Sequence, residues 1–248
     1  MSINSKAQNI KKLFALSPRE NELAFMFLGL SGVIVKTSNR TIIVDPADLL
    51  KGEEIKALEM EIIDLLLFTH NHRDHYSSKY ALDILKAKCP PILAEPLVAD
   101  DLKGKIPPHV SHKLKSAAAG RSYNYGHFIG VNVVKGIHRG PINLYHIEIE
   151  DLSVFHAGDS GYVPVKDYPS DLAFLPTGSP SPTASPQEAF NMTTDLKPSV
   201  VVTIHGSADQ NKKFESIIKS TMPETAVIIP EPYTSNIVTL PRRPRTIE

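Results

Sequence analysis

Cysteine is almost missing from this chain: Cys89 is the only one in 248 residues. No internal disulfide can form, and a reducing compartment is the expectation. Charge imbalance is missing too, with Lys+Arg 27 against Asp+Glu 27 and a formal net charge of zero. That excludes a chain built around non-specific nucleic-acid binding, while leaving room for a local basic patch. The only basic run, "PRRPR" at 241–245, is read as a solvated terminus. No apolar run reaches the roughly 20 residues that span a bilayer. The start, "MSINSKAQNIKKLFAL", is polar and lacks the apolar core of a signal peptide. These absences together point to a cytosolic protein with no membrane partner.

What is present is ordinary for a globular protein, with 42% hydrophobic and 22% charged residues. Residues 1–20 read as a polar segment, and 21–248 as one domain. "AFMFLG", "GVIVKT" and "RTIIVDP" read as strands, and "EIIDLLLF" as a strand covered on both faces. "SSKYALDILKAK" has helical spacing and stops at Cys89-Pro90. Residues 106–122 show little periodicity and read as loop. Strands resume with "GVNVVKGI", "NLYHIEI", "LSVFHAG" and "DLAFLPTG". Ser185, Pro186 and Glu188 form a capping-box start for the helix "PQEAFNMTTDL". "SVVVTIH", the helix "DQNKKFESIIKS" and a last strand "TAVIIP" complete the pass. Each half runs from grouped strands into strand–helix alternation, which suggests two halves packed sheet to sheet with helices outside.

Ten histidines are a rich supply, and their placement matters more than their number. "LLLFTHNHRDH" ends a strand in His70, His72, Asp74 and His75; "VKGIH" ends at His138, "FHAGD" at Asp159 and "VVVTIH" at His205. Loops at neighbouring strand ends are where a rigid sheet aims several ligands at one point. The donors are nitrogen and oxygen without thiolate, which suits zinc, with carboxylates extending the choice to manganese or iron. His70 and His72 share a side if the chain stays extended there. Asp74 and His75 lie past the turn and suit a second ion. His138 completes three nitrogens for the first ion, and Asp159 with His205 complete a mixed set for the second, each keeping a position open for water.

At these residues the sequence resembles the metallo-β-lactamase-fold hydrolases. "THNHRDH" is similar to their His-x-His-x-Asp-His signature, and "FMFLGLSGVIVKTSNRTIIVDPAD" to their opening hairpin with Asp45 in its first motif. "GIH", "FHAGDSG" and "TIHG" resemble the later motifs at His138, Asp159 and His205. "LPTGSPSPTASPQEAF" resembles the corresponding stretch of the compact metal-dependent hydrolases that include L-ascorbate-6-phosphate lactonase, with more Ser and Pro than is usual there. The resemblance implies an α+β, four-layer αββα sandwich with two divalent ions, zinc or manganese, at one sheet edge. His70, His72 and His138 would hold one ion, Asp74, His75 and His205 the other, and Asp159 would bridge them. Asp45 would support the ligand loops without being a ligand. His72 stands where oxygen-reducing di-iron relatives carry a glutamate, which argues against redox chemistry.

The activity expected is hydrolysis of an ester-like bond in a small, anionic molecule, with a homo-oligomer left open. Asp74 would orient the attacking water and receive its proton, and His205 or a metal-bound water would assist the leaving group. Arg139 either contacts an anionic substrate group or is a solvated turn residue. His109, His112 and His127 lie in or near loops that border the expected mouth, whereas His146 and His156 read as satisfied strand residues. Asp64, in an apolar strand, needs a partner, and the ligand loop is one choice. Cys89 reads as packing. A nuclease is the rival enzyme, disfavoured by zero net charge. A non-catalytic metal-binding protein is the third reading.

Overall fold

Period-two and period-3.6 apolar patterns alternate along the chain. The computed structural model, which describes residues 3–179 and 183–241, sorts them into two mixed sheets with helices outside both. The first half runs α1 (Ile3–Ala15), β1 (Glu22–Gly29), β2 (Gly32–Lys36), β3 (Thr41–Val44), α2 (Glu53–Lys56), β4 (Leu65–Phe68), α3 (Ser78–Lys88), β5 (Ile92–Ala94), α4 (Pro96–Lys103), a 3₁₀ segment (Pro108–Lys113) and β6 (Leu114–Ser116). The second runs β7 (Ser122–Tyr125), β8 (Ile129–Lys135), β9 (Asn143–Ile149), β10 (Leu152–His156), β11 (Leu172–Pro176), α5 (Pro186–Leu196), β12 (Val200–Ile204), α6 (Ala208–Thr221), β13 (Ala226–Ile228) and β14 (Ser235–Thr239). Strand order is β14-β1-β2-β3-β4-β5-β6 in one sheet and β13-β12-β11-β10-β9-β8-β7 in the other.

Both faces of each sheet are covered, which is why runs such as "LLLF" are apolar without alternation. Leu23, Phe25, Leu67, Tyr145 and Phe174 meet in the layer between the sheets, with the Phe25 and Phe174 rings edge-on at 5.4 Å. Ile10, Leu13, Phe68, Ile84 and Val98 fill the layer beneath α1, α3 and α4. Phe155, Met192, Leu196, Phe214 and Ile218 fill the one beneath α5 and α6. This is the αββα arrangement expected. No helix among the described residues is long and apolar enough to cross a membrane.

Strand direction positions the site. β3, β4, β5 and β6 are mutually parallel, as are β10, β11 and β12. β8 and β10 each pair antiparallel with β9, so β8 runs with β10. The C-terminal ends of β3, β4, β8, β10 and β12 therefore open at one edge, which is where Asp45, His70, His138, Asp159 and His205 follow.

The polar start is helical: α1 turns Ala7, Ile10, Leu13 and Phe14 into the core and leaves Lys11 and Lys12 exposed. Residues 106–122 are not all loop, since they hold the 3₁₀ segment and the short strand β6. "TAVIIP" is not the last strand, because β14 returns to pair with β1, Ala24 opposite Ile237. Cys89 is not packed: it ends α3 in a left-handed conformation (φ 48°) with its thiol exposed. The Ser185–Glu188 capping box forms as expected, with Glu188 N donating to Ser185 Oγ at 3.2 Å and Ser185 N to Glu188 Oε2 at 2.8 Å. The "PRRPR" tail lies outside the described residues beyond Pro241, as do Pro180–Pro182 of the Ser/Pro-rich loop.

Candidate metal centre

Asp45 leaves β3 with a positive φ of 46°, fully buried, and organises the loop after β4. Its Oδ1 accepts from Thr69 N at 2.8 Å, and its Oδ2 accepts from Thr69 Oγ1 at 2.5 Å and from His75 Nδ1 at 2.8 Å. Since Thr69 Oγ1 spends its proton on Asp45, it accepts from His70 Nδ1, 3.0 Å away. The network thus assigns a proton to Nδ1 of both His70 and His75, which makes Nε2 of each the atom that would ligate. His75 and Tyr76 amides donate to His72 O, closing the turn that leads into α3.

Two donor groups result. His70, His72 and His138 form one, with His72 Nδ1 and His138 Nε2 3.0 Å apart. Asp74, His75, Asp159 and His205 form the other. Within it, Asp159 Oδ2 lies 3.0 Å from His75 Nε2 and 3.2 Å from His205 Nε2, while Asp74 Oδ2 lies 3.3 Å from His205 Nε2 and 3.7 Å from His75 Nε2. A tetrahedral ion with bonds of about 2.0–2.2 Å separates its ligand atoms by roughly 3.3–3.6 Å, and the spacings here, 3.0 to 3.7 Å, bracket that range. Two further observations agree. His70 Nε2 is buried with no hydrogen-bond partner among the described residues. His75 Nε2 is likewise buried with no aligned hydrogen-bond partner among the described residues, 3.0 Å from Asp159 Oδ2. Of the residue sets here, these two fit divalent ions by donor chemistry: three imidazoles, then two imidazoles with two carboxylates.

The electrostatics show what the cluster asks for. Burial, reinforced by the charge of His75, pushes His70 down to about 3, so it is a neutral donor. Burial works against protonating His75, yet the Asp45 and Asp159 carboxylates overcome it and push it up to about 10. The hydrogen bond from His205 holds Asp74 well below the usual carboxylate range. Burial would raise Asp159, but His75 and His205 hold it down at about 2. The carboxylates hold positive charge at the centre of the site.

Asp64 is not near this loop. It precedes β4 at the opposite edge, where its Oδ1 accepts from Arg40 Nη1 at 3.0 Å and its Oδ2 from Thr41 N at 2.8 Å. His109 and His112 lie in the segment entering β6 and His127 in the turn entering β8, so strand direction places all three at that far edge too. Arg139 is exposed in the turn directly after His138. His146 is satisfied, with Asn132 Nδ2 at 3.1 Å and Pro169 O at 3.3 Å. Thr69, which links His70 to Asp45, carried no sequence signal beyond its place before the first ligand. Gly178 is a second unforeseen contributor: a Cβ there would lie 1.9 Å from His205 O.

Sheet order, helix placement and the edge site together define a metallo-β-lactamase fold. Residues 24–205 match the model of the β-lactamase superfamily domain, and the chain belongs to that superfamily. A UPF0173 metal-dependent hydrolase of Lysinibacillus sphaericus (strain C3-41) is 27% identical over 193 residues, covering 71% of this chain and 82% of the relative. Among solved structures, Igni18, a metallo hydrolase from the archaeon Ignicoccus hospitalis KIN4/I, superposes with a TM-score of 0.72 at 21% identity over 88% of this chain and 98% of that one. The metallo-β-lactamase fold protein YhfI of Bacillus subtilis superposes with a TM-score of 0.69 at 14% identity, over 88% and 100%.

Proposed function

We propose that this chain is a dinuclear metal-dependent hydrolase that cleaves an ester-like bond in a small anionic molecule. The observation that carries the reading is the adjacency of the two donor groups at one sheet edge, seven side chains from four strand ends. The resemblance to a metal-dependent hydrolase and to a metallo hydrolase supports the reaction type. Zinc or manganese fits the donors. A lactone heads the list of bonds on motif resemblance, ahead of carboxylic esters and phosphoesters.

Ions held by these residues would supply an acidified water, with a pKa near about 7, and polarise the carbonyl or phosphoryl oxygen. The chain's own residues do the rest. Asp74 is the carboxylate open to solvent, its side chain 39% exposed against 4% for Asp159, so it is placed to orient the attacking water and take its proton. His205, 17% exposed beside it, is placed to assist the leaving group. Asp45 keeps His75 and, through Thr69, His70 in ligating orientation. Arg139 offers a guanidinium to an anionic group. A cavity of about 580 Å³ adjoins His138, lined by Glu95, Ala117, Lys135, Ile137 and Pro141 among others, and gives room for the body of a small substrate.

Metal content of the purified protein, measured with hydrolysis of bis-p-nitrophenyl phosphate and γ-butyrolactone, tests this. The expected result is about two ions per chain and turnover of one of the two esters that is lost in His70→Ala and Asp159→Ala. No metal uptake under any reconstitution would overturn it.

A further inference from the structure

Ser31 sits in the tight link between β1 and β2, Gly29-Leu30-Ser31-Gly32, yet it is fully buried. The link is bent by positive φ at Gly29 (129°) and Leu30 (53°), and it reaches across to the second sheet. Ser31 Oγ donates to Asp159 Oδ1 at 2.9 Å. Ser31 O faces His156 Nε2 at 2.9 Å, and His156 Nδ1 accepts from Gly158 N at 3.2 Å. An amide can only donate, so Nδ1 carries the lone pair and Nε2–H donates to Ser31. The chain of bonds closes on itself: Ser31 to Asp159, back along the backbone to Gly158, to His156, and to Ser31 again. The neighbouring Leu30 O accepts from His205 N at 2.9 Å. One turn of the first sheet thus grips two donors of the four-donor group from the second.

We infer that Ser31 is a positioning residue for that group: its hydroxyl occupies Oδ1 of Asp159 and leaves Oδ2 as the only oxygen aimed at the ion. The inference rests on the reading that the four-donor group holds a metal. Oδ2 is the oxygen beside His75 Nε2 and His205 Nε2, and a carboxylate with one oxygen engaged cannot turn to offer both. Without the hydroxyl, Asp159 is free to rotate about its Cβ–Cγ bond, and the donor set loses its fixed single-oxygen geometry. His156, a strand histidine by sequence, holds the Ser31 carbonyl and so fixes where the hydroxyl starts from. Nothing comparable ties the three-histidine group to this turn among the described residues.

The test is titration of the metal-free full chain with Zn²⁺ against a chromophoric chelator, resolving two dissociation constants. His138→Ala, which retains only the four-donor group intact, assigns which constant belongs to it. In Ser31→Ala that constant weakens about 10- to 100-fold, the range for loss of a ligand's hydrogen-bond partner, while the other is unchanged. Ser31→Thr, which restores a hydroxyl, recovers the wild-type constant. Thr225→Ala removes a buried hydroxyl bonded to Pro198 O at 2.9 Å far from the site and moves neither constant, which separates positioning from loss of stability. Two unchanged constants in Ser31→Ala would overturn the inference while leaving the hydrolase reading intact. A wild-type chain that binds no second ion would overturn both.

Discussion

Asp45 Oδ2 and His75 Nδ1 lie 2.8 Å apart, both side chains fully buried, joining the end of β3 to the start of α3. This carboxylate touches no open position of the site, but all three hydrogen bonds that it accepts come from the loop after β4, two from Thr69 and one from His75.

Asp45→Asn should therefore lower metal affinity by about 10- to 100-fold without removing a ligand. The amide cannot accept from both Thr69 Oγ1 and His75 Nδ1 on one atom while its NH₂ faces Thr69 N without a clash of donors. Asp64→Asn, altering a carboxylate bonded to Arg40 and Thr41 at the opposite edge, should leave affinity unchanged. Metal titration of the two variants checks the contrast, and equal effects would count against the assigned role of Asp45.

Metal binding should strengthen with pH. With His75 pushed up to about 10, the metal-free chain carries a proton at neutral pH that an ion must displace. Displacing that one proton makes the affinity of the four-donor group rise about tenfold per pH unit. The metal-free fold should move the other way. A histidine whose folded pKa is raised contributes stability that is fully present below its unfolded value of about 6.5 and is lost as pH rises through the folded one. Melting temperatures of chelated and loaded protein, measured from pH 6.5 to 9.5, should diverge: the chelated one falls relative to the loaded one.

Gly178→Ala should damage the site from behind. The added Cβ would stand 1.9 Å from His205 O, so His205, already at a positive φ of 48°, must shift. A displaced ligand should cost more than about tenfold in affinity at the four-donor group, with the three-histidine group spared. Unaltered metal constants in this variant would show that the β11 end yields instead.

The layers and the clustering of the site residues were legible in the sequence because each rests on a local pattern: apolar runs for strands covered on both faces, and polar residues ending those runs. α1 was missed: Ala7, Ile10 and Leu13 recur at helical spacing, but the lysines among them lead a reading by composition to a polar segment. β6 and β14 were not legible either, because strands of three and five residues with mostly exposed or half-buried side chains are specified by their neighbours and not by their own period. Asp64 was given the wrong partner because a residue's position in a strand does not say which end carries the site. Ser31 and Gly178 act across the two sheets, and contacts of that range leave no trace in residue spacing.

The pairing of β14 with β1 has a consequence for how the molecule is made. Glu22–Met26 take Ser235–Thr239 as their second partner, so during synthesis this edge of β1 stays bare until β14 has emerged, after every other strand named above. Bare edges of apolar strands invite pairing with other chains. β14 is the clasp that ends this exposure.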